Sequence, residues 1–174
     1  LGGFIGEKNI LAADMGGTTF KVSVIRDGEI ERESSPVLLR FRILSPKIWV
    51  ESIGAGGGSI AWIDPETSLL KVGPHGARAK PGPVCYGVGG TEPTVSDADL
   101  VLGYLNKDYF LGGQMTLDEE AAQRAIHDRI AVPMDITDLE AARGIHAIAT
   151  AHMSDLMRRA TVERGYDPRD FVLF

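Results

Sequence analysis

The run Ile10-Leu-Ala-Ala-Asp14-Met-Gly-Gly-Thr-Thr19-Phe-Lys-Val-Ser-Val-Ile25 constrains the fold most, because an apolar stretch ends in an acid, turns through two glycines and two threonines, and resumes as a second strand pattern. Such a turn suits a nucleotide phosphate. Gly16 and Gly17 accept φ > 0 and carry no Cβ, so backbone N–H groups can face an anion and approach it closely. Thr18 and Thr19 add hydroxyl donors. Asp14, at the strand end, stands where a carboxylate holds Mg2+ or another divalent cation, or positions a water. No Lys follows the glycines and a strand comes next, which separates this turn from the Gly-x-x-x-x-Gly-Lys-Ser/Thr loop. The same residues also fit a tight hairpin capped by Asp14.

A second glycine run, Ser52-Ile-Gly-Ala-Gly56-Gly57-Gly58-Ser59-Ile-Ala-Trp62, leaves the backbone free to wrap a ligand, which makes Gly56, Gly57, Gly58 and Ser59 candidate cofactor contacts. It equally fits a strand crossing where another backbone passes closely. A third stretch, Lys71 to Asp99, is dense in Gly and Pro but also charged, unlike a flexible linker. We read it as an ordered surface loop with a function. Within it Asp97, with Thr94 and Ser96, is a second candidate catalytic acid, although Ser96-Asp97 also reads as an N-cap for a helix from Ala98 to Leu105.

Nineteen of the 21 glycines precede residue 114, so residues 1–113 read as strands and loops. Ile10 to Asp14, Phe20 to Ile25 and Glu29 to Glu33 form an expected meander, with Asp27-Gly28 as a tight turn. Leu38 to Leu44, Lys47 to Ile53, Ile60 to Ile63 and Leu69 to Val72 are shorter strand candidates, with a turn at Asp64-Pro65-Glu66-Thr67 and with Trp49 and Trp62 packing. Residues 114–170 read as helices. Thr116-Leu-Asp-Glu119 opens one running to about Ile130, and Thr137-Asp-Leu-Glu140 opens a longer one that stops at Gly165. Phe171 to Phe174 is again a strand.

The chain resembles the hydantoinase A / 5-oxoprolinase family, which includes ATP-dependent acetone and acetophenone carboxylases. The resemblance rests on Asp14-Met-Gly-Gly-Thr18, Ser52-Ile-Gly-Ala-Gly-Gly-Gly-Ser-Ile-Ala61, Val72-Gly-Pro74, Lys80-Pro-Gly-Pro-Val-Cys-Tyr-Gly87, Gly89-Gly90, Pro93-Thr-Val-Ser-Asp-Ala98, Leu102-Gly103 and Arg164-Gly-Tyr-Asp-Pro-Arg-Asp170, in family order. Thr19-Phe-Lys21 looks most like the ketone carboxylase branch. His75, Arg78 and Asp99 depart from the family's pattern, at positions that change charge in the Gly/Pro-rich stretch. The resemblance implies an α/β fold of the actin-like / RNase H-like ATPase half (sugar kinase–Hsp70–actin type), a β-meander followed by helices. It also implies that residues 1–174 are one segment of a larger hydantoinase A-type chain, lacking an earlier Asp-x-Gly-Gly-Thr loop and a later Gly-Gly-Ala-Gly-Pro loop, so this piece alone is expected to bind ATP weakly.

The function implied is ATP-dependent ring opening of a cyclic amide (hydantoin or 5-oxoproline type) through a phosphorylated intermediate. Two alternatives stay open: a subunit of an ATP-dependent ketone carboxylase, and a non-catalytic actin-like nucleotide module. A sugar or acetate kinase relative would not need the long Gly/Pro stretch. Partners implied are the cyclic amide or ketone, the rest of the chain and a hydantoinase B-like subunit.

Composition narrows the field further. A net charge of −6 without a Lys/Arg cluster offers nucleic acid no footprint. No apolar stretch approaches the roughly 18 to 20 residues that span a bilayer. One cysteine, Cys85, excludes an internal disulfide framework and fits a reducing, cytoplasmic setting, as a small buried thiol without a catalytic partner. His75 reads as a surface loop residue, whereas His127, His146 and His152 lie on helices, His146 near the apolar face.

Overall fold

In the computed structural model, which describes residues 2–174, a helical turn α1 (Gly2–Ile5) precedes two central strands, β1 (Ile10–Met15) and β2 (Phe20–Arg26). Short strands follow: β3 (Glu29–Ile30), β4 (Arg32–Glu33), β5 (Val37–Leu38), β6 (Phe41–Arg42), β7 (Lys47–Ile48) and β8 (Glu51–Ile53). Then come β9 (Ser59–Ile63), β10 (Leu70–Gly76), α2 (Val95–Val101), α3 (Glu119–Ile126), α4 (Val132–Met134), α5 (Asp138–Val162) and β11 (Val172–Leu173). The fold is mixed α/β. Its contacts gather it into two compact units rather than dividing it near residue 114: one holds the chain through Asp14, Phe20–Ile53 and Met153–Phe174, the other Met15–Thr19 and Gly54–His152.

The first unit is built on the sheet ordered β11-β1-β2-β3, with β8 also paired to β2. Alternation in Phe20-Lys-Val-Ser-Val-Ile-Arg26 buries Phe20, Val22 and Val24 on one face. They pack with Leu11, Trp49, Leu156 and Ala160, and each large apolar side chain so buried contributes about 1.5–3 kcal/mol. β11 runs parallel to β1, so the expected terminal strand forms, with Ala13 N donating to Phe174 O at 2.6 Å. Asp27 (φ 54) and Gly28 (φ 83) make the expected turn, since two successive positive φ values match the twist of a hairpin.

The Arg164-Gly-Tyr-Asp-Pro-Arg-Asp170 motif closes this unit. Gly165 (φ 79) ends α5 as expected, with its N–H donating to Val162 O and Tyr166 N–H to Thr161 O. The Arg164 guanidinium stacks 3.8 Å over Trp49, and Tyr166 Oη donates to Glu31 Oε1 at 2.7 Å. Two strand expectations need correction. Leu38 to Leu44 is not one strand: Leu39 (φ 49) and Arg40 (φ 75) turn it into the β5–β6 hairpin, without the Gly or Asn such a turn prefers. Lys47 to Ile53 and Glu29 to Glu33 each break in two, because β4 pairs with β7 while β3 and β8 pair with β2.

The second unit has its core between the β9–β10 hairpin and the helices, with Ala61, Val72, Val95, Ala98, Ile126, Ile130, Ala142 and Ile145 buried together. The Asp64 turn forms as expected, Glu66 N donating to Asp64 Oδ1 at 2.9 Å. Trp62 packs there and donates from Nε1 to Gly73 O at 2.8 Å. Helix α5 opens with the expected capping box: Thr137 donates to Glu140, and Glu140 N donates back to Thr137 Oγ1. Its residues to His152 join this unit, and its last turns, from Met153, cover β1 and β2 in the first.

Two helix starts shift from expectation. Helix α3 is capped by Asp118, which accepts from Ala121 N at 2.9 Å, not by Thr116. Helix α2 begins at Val95 with Thr94 as N-cap, three residues before the expected Ala98. A π-helical turn, His127–Ala131, links α3 to α4. His127 Nδ1 lies 2.7 Å from Asp138 Oδ1, and this hydrogen bond raises the His127 pKa and lowers that of Asp138. His146 Nδ1 lies 2.7 Å from Asp99 Oδ1, a hydrogen bond that satisfies a half-buried imidazole.

Candidate functional site

The loop Gly16–Thr19 follows β1 directly, and its turn is closed by Gly16 N donating to Thr19 O at 2.9 Å. Asp14 through Thr18 are exposed. The N–H groups of Gly17, Thr18 and Thr19 have no backbone or side-chain acceptor among the described residues. Asp14, with a side chain 74% exposed, has one cationic neighbour among the described residues, Lys21 Nζ at 3.8 Å. An exposed pair at that distance contributes little to stability, so the carboxylate is open to other cations. Lys21 was not among the candidates read from the sequence; the β1–β2 connection brings it beside Asp14.

Neither Gly16 nor Gly17 lies in the left-handed region, contrary to the conformational reason given for them above. A Cβ on Gly17 would meet nothing within 4 Å, and one on Gly16 only Thr19 O at an ordinary 3.5 Å. The fold therefore does not require Gly17 to be glycine. The volume that its missing side chain leaves lies open beside the free N–H groups, as in a cradle that a ligand enters.

The second glycine run, expected as a set of cofactor contacts, is hydrogen-bonded to the first. Gly57 N donates to Gly16 O (3.1 Å), Gly58 N to Gly17 O (2.7 Å), Ser59 N to Gly56 O (3.0 Å) and Gly56 N to the buried Ser59 Oγ (3.0 Å). Every N–H from Gly56 to Ser59 is thus already bonded and unavailable to a phosphate. Close approach explains the composition, since a Cβ on Gly56 would fall 2.5 Å from Gly16 O and 2.9 Å from Thr18 N, and one on Gly58 2.8 Å from Gly17 O. This run is the rigid backing of the Gly16–Thr19 loop.

Asp97, the second candidate acid, lies at the start of α2. It is fully buried and accepts from Thr94 N (2.8 Å), Thr94 Oγ1 (2.8 Å), Cys85 N (2.7 Å) and Val84 N (3.3 Å). Three donors on Oδ2 and one on Oδ1 hold the buried carboxylate, and they fasten the Pro83-Val-Cys-Tyr86 turn to the start of α2. Burial first, and the Asp97 charge second, push the Cys85 thiol far above its ordinary pKa, so it stays protonated and inert. His75 is exposed in β10. Among the described residues no three His, Cys, Asp or Glu side chains come together as a metal site, so a cation at Asp14 would be shared with the ligand's own oxygens.

Comparison with known proteins gives this geometry a context. The family model described as hydantoinase/oxoprolinase matches residues 1–174. The caprolactamase subunit alpha of Pseudomonas jessenii is 48% identical over 168 residues, covering 97% of this chain and 24% of that protein. The ATP-dependent caprolactamase crystal structure from the same organism superposes with a TM-score of 0.87 at 47% identity, over 99% of this chain and 25% of that one. The acetophenone carboxylase gamma subunit of Aromatoleum aromaticum is 44% identical over 171 residues, 98% of this chain and 23% of that protein. A nucleotide-free acetone carboxylase structure superposes with a TM-score of 0.88 at 37% identity, over 99% of this chain and 24% of that one. The chain thus spans about a quarter of the length of these relatives. Its sheet and helices fit the actin-like ATPase half.

Proposed function

This chain belongs to the hydantoinase/oxoprolinase family, and on that premise we propose that it is the phosphate-binding segment of an ATP-dependent enzyme that opens a cyclic amide. The observation that carries the reading is Gly17: a glycine whose side-chain volume nothing among the described residues fills, beside N–H groups that no described residue accepts from. Gly17, Thr18 and Thr19 donate to the phosphates, and Asp14 holds a divalent cation, Mg2+ or another, against them. When bound, ATP would supply the phosphoryl group that, transferred to the amide oxygen with ADP leaving, makes the poorly electrophilic amide carbon open to attack by water. Gly56 to Ser59 keep the donors in place before ligand arrives, so that no reorganisation is needed when charge develops.

Similarity to a caprolactamase supports the cyclic amide as substrate class. Similarity to the acetophenone carboxylase gamma subunit supports the second reading, a subunit that activates a ketone for carboxylation. In both readings residues 1–174 work within one family-type domain, with the rest of the chain and a hydantoinase B-like subunit completing the enzyme in the cytoplasm. No helix of the described residues is long and apolar enough to cross a membrane.

The test is the coupling of ATP use to substrate. Full-length protein with Mg-ATP is expected to release ADP only when a lactam, or a ketone with bicarbonate, is supplied. Equal release in the absence of both would favour a nucleotide module without such chemistry.

A further inference from the structure

Beside the Gly16–Thr19 loop, within the same unit, lies a recess of about 340 Å³ whose lining includes Gly76, Arg78, Lys80, Gly82, Gly90 and Glu92. Both cations are exposed, and among the described residues neither has a carboxylate within 4.0 Å, although Glu92 lines the same recess. The turn that carries them is held firmly. Ala77 N donates to Gly58 O at 2.8 Å and Gly82 N to Ala77 O at 3.0 Å, while a Cβ on Gly90 would collide with Gly82 O. Arg78 itself occupies the left-handed region at φ 59, a conformation unfavourable for any residue but glycine.

The recess adjoins the phosphate loop through Gly58. A Cβ built on that glycine would meet Gly17 O at 2.8 Å on one side and Arg78 N at 3.9 Å on the other. We propose that this recess is an oxyanion site, in which the Arg78 guanidinium and the Lys80 ammonium take a phosphate or carboxylate group. A planar guanidinium pairs with such a group through two parallel N–H donors, and a nearby ammonium adds a point charge. The anion comes either from the terminal phosphate of the nucleotide or from a carboxylate carried by the cyclic amide, as on a 5-oxoproline-type ring; the first source rests on the ATP reading and the second on the cyclic-amide reading.

The experiment is calorimetric titration of the full-length protein with inorganic phosphate and with acetate, with and without saturating Mg-ATP. Arg78→Gly should weaken phosphate binding about tenfold or more, the loss of one charge-assisted pair. Its Tm should hold or rise, because glycine accepts φ 59 without strain. Lys80→Gln should weaken phosphate by a smaller factor, and Arg78→Lys should retain part of the affinity. Competition by Mg-ATP assigns the anion to the nucleotide, and persistence in its presence assigns it to a substrate carboxylate; either supports the site. Phosphate bound within twofold of wild type by Arg78→Gly overturns it, as does weakening that appears only with a fall in Tm. A protein that binds phosphate through Arg78 but takes no Mg-ATP would remove the ATP reading and leave this site standing.

Discussion

Asp14→Asn in the full-length protein is expected to lower lactam- or ketone-dependent ATP turnover about a hundredfold, roughly 2.7 kcal/mol of barrier. The substitution keeps the side chain's size and removes its charge. Because Asp14 is exposed and its one ionic neighbour, Lys21, stands 3.8 Å away, folding should be unaffected. Asn would serve a tight turn nearly as well as Asp, since it accepts the same backbone donors. A cation held against phosphates needs the carboxylate. Steady-state ATP hydrolysis beside a thermal melt separates the two roles: turnover within a few-fold of wild type at unchanged Tm would make Asp14 a turn residue.

Alanine at two glycines should give opposite patterns. Gly56→Ala places a methyl 2.5 Å from Gly16 O and 2.8 Å from Gly17 C, both backbone atoms that cannot swing aside. Overpacking of this kind costs about 1–3 kcal/mol, and a loop displaced by about 1 Å can forfeit a hundredfold in rate, so Tm and turnover should fall together. Gly17→Ala meets nothing within 4 Å and strains no left-handed φ, so Tm should hold or rise slightly. Turnover should still fall, because the methyl enters the volume assigned to the phosphates. Paired melts and ATPase assays on the two variants check this. A Gly17→Ala enzyme of normal activity would remove the cradle.

Where local chemistry decides, the sequence was informative. The Asp27-Gly28 turn, the Thr137–Glu140 capping box and the stop at Gly165 each follow from a residue type suited to one conformation, and all three form. The Leu39–Arg40 turn carries no such signal, because neither residue favours positive φ. Glycine is ambiguous in a different way. A missing Cβ serves positive φ, ligand approach and backbone approach alike, and only coordinates distinguish the backing role of Gly56 and Gly58 from the open space at Gly17. Asp97 was legible as a special acid but not as one saturated by Thr94, Val84 and Cys85, since two of its partners lie 12 and 13 residues away. Arg78 is legible as a departure from the family's pattern and Lys80 as the start of a family motif; their shared recess depends on the turn through Gly82 and on Gly90 packed against it.

Gly17, Thr18 and Thr19 are proposed to bind phosphate while Gly56 to Ser59 support them. Hydrogen–deuterium exchange of the full-length protein, read on peptides covering Met15–Thr19 and Gly56–Ser59, tests this directly. Free, exposed N–H groups exchange rapidly until a ligand takes them, whereas groups already bonded to Gly16, Gly17, Ser59 and Gly56 are protected from the start. Addition of Mg-ATP should slow exchange in Met15–Thr19 and change it little in Gly56–Ser59. New protection confined to Gly56–Ser59, with Met15–Thr19 exchanging as before, would contradict that assignment of roles.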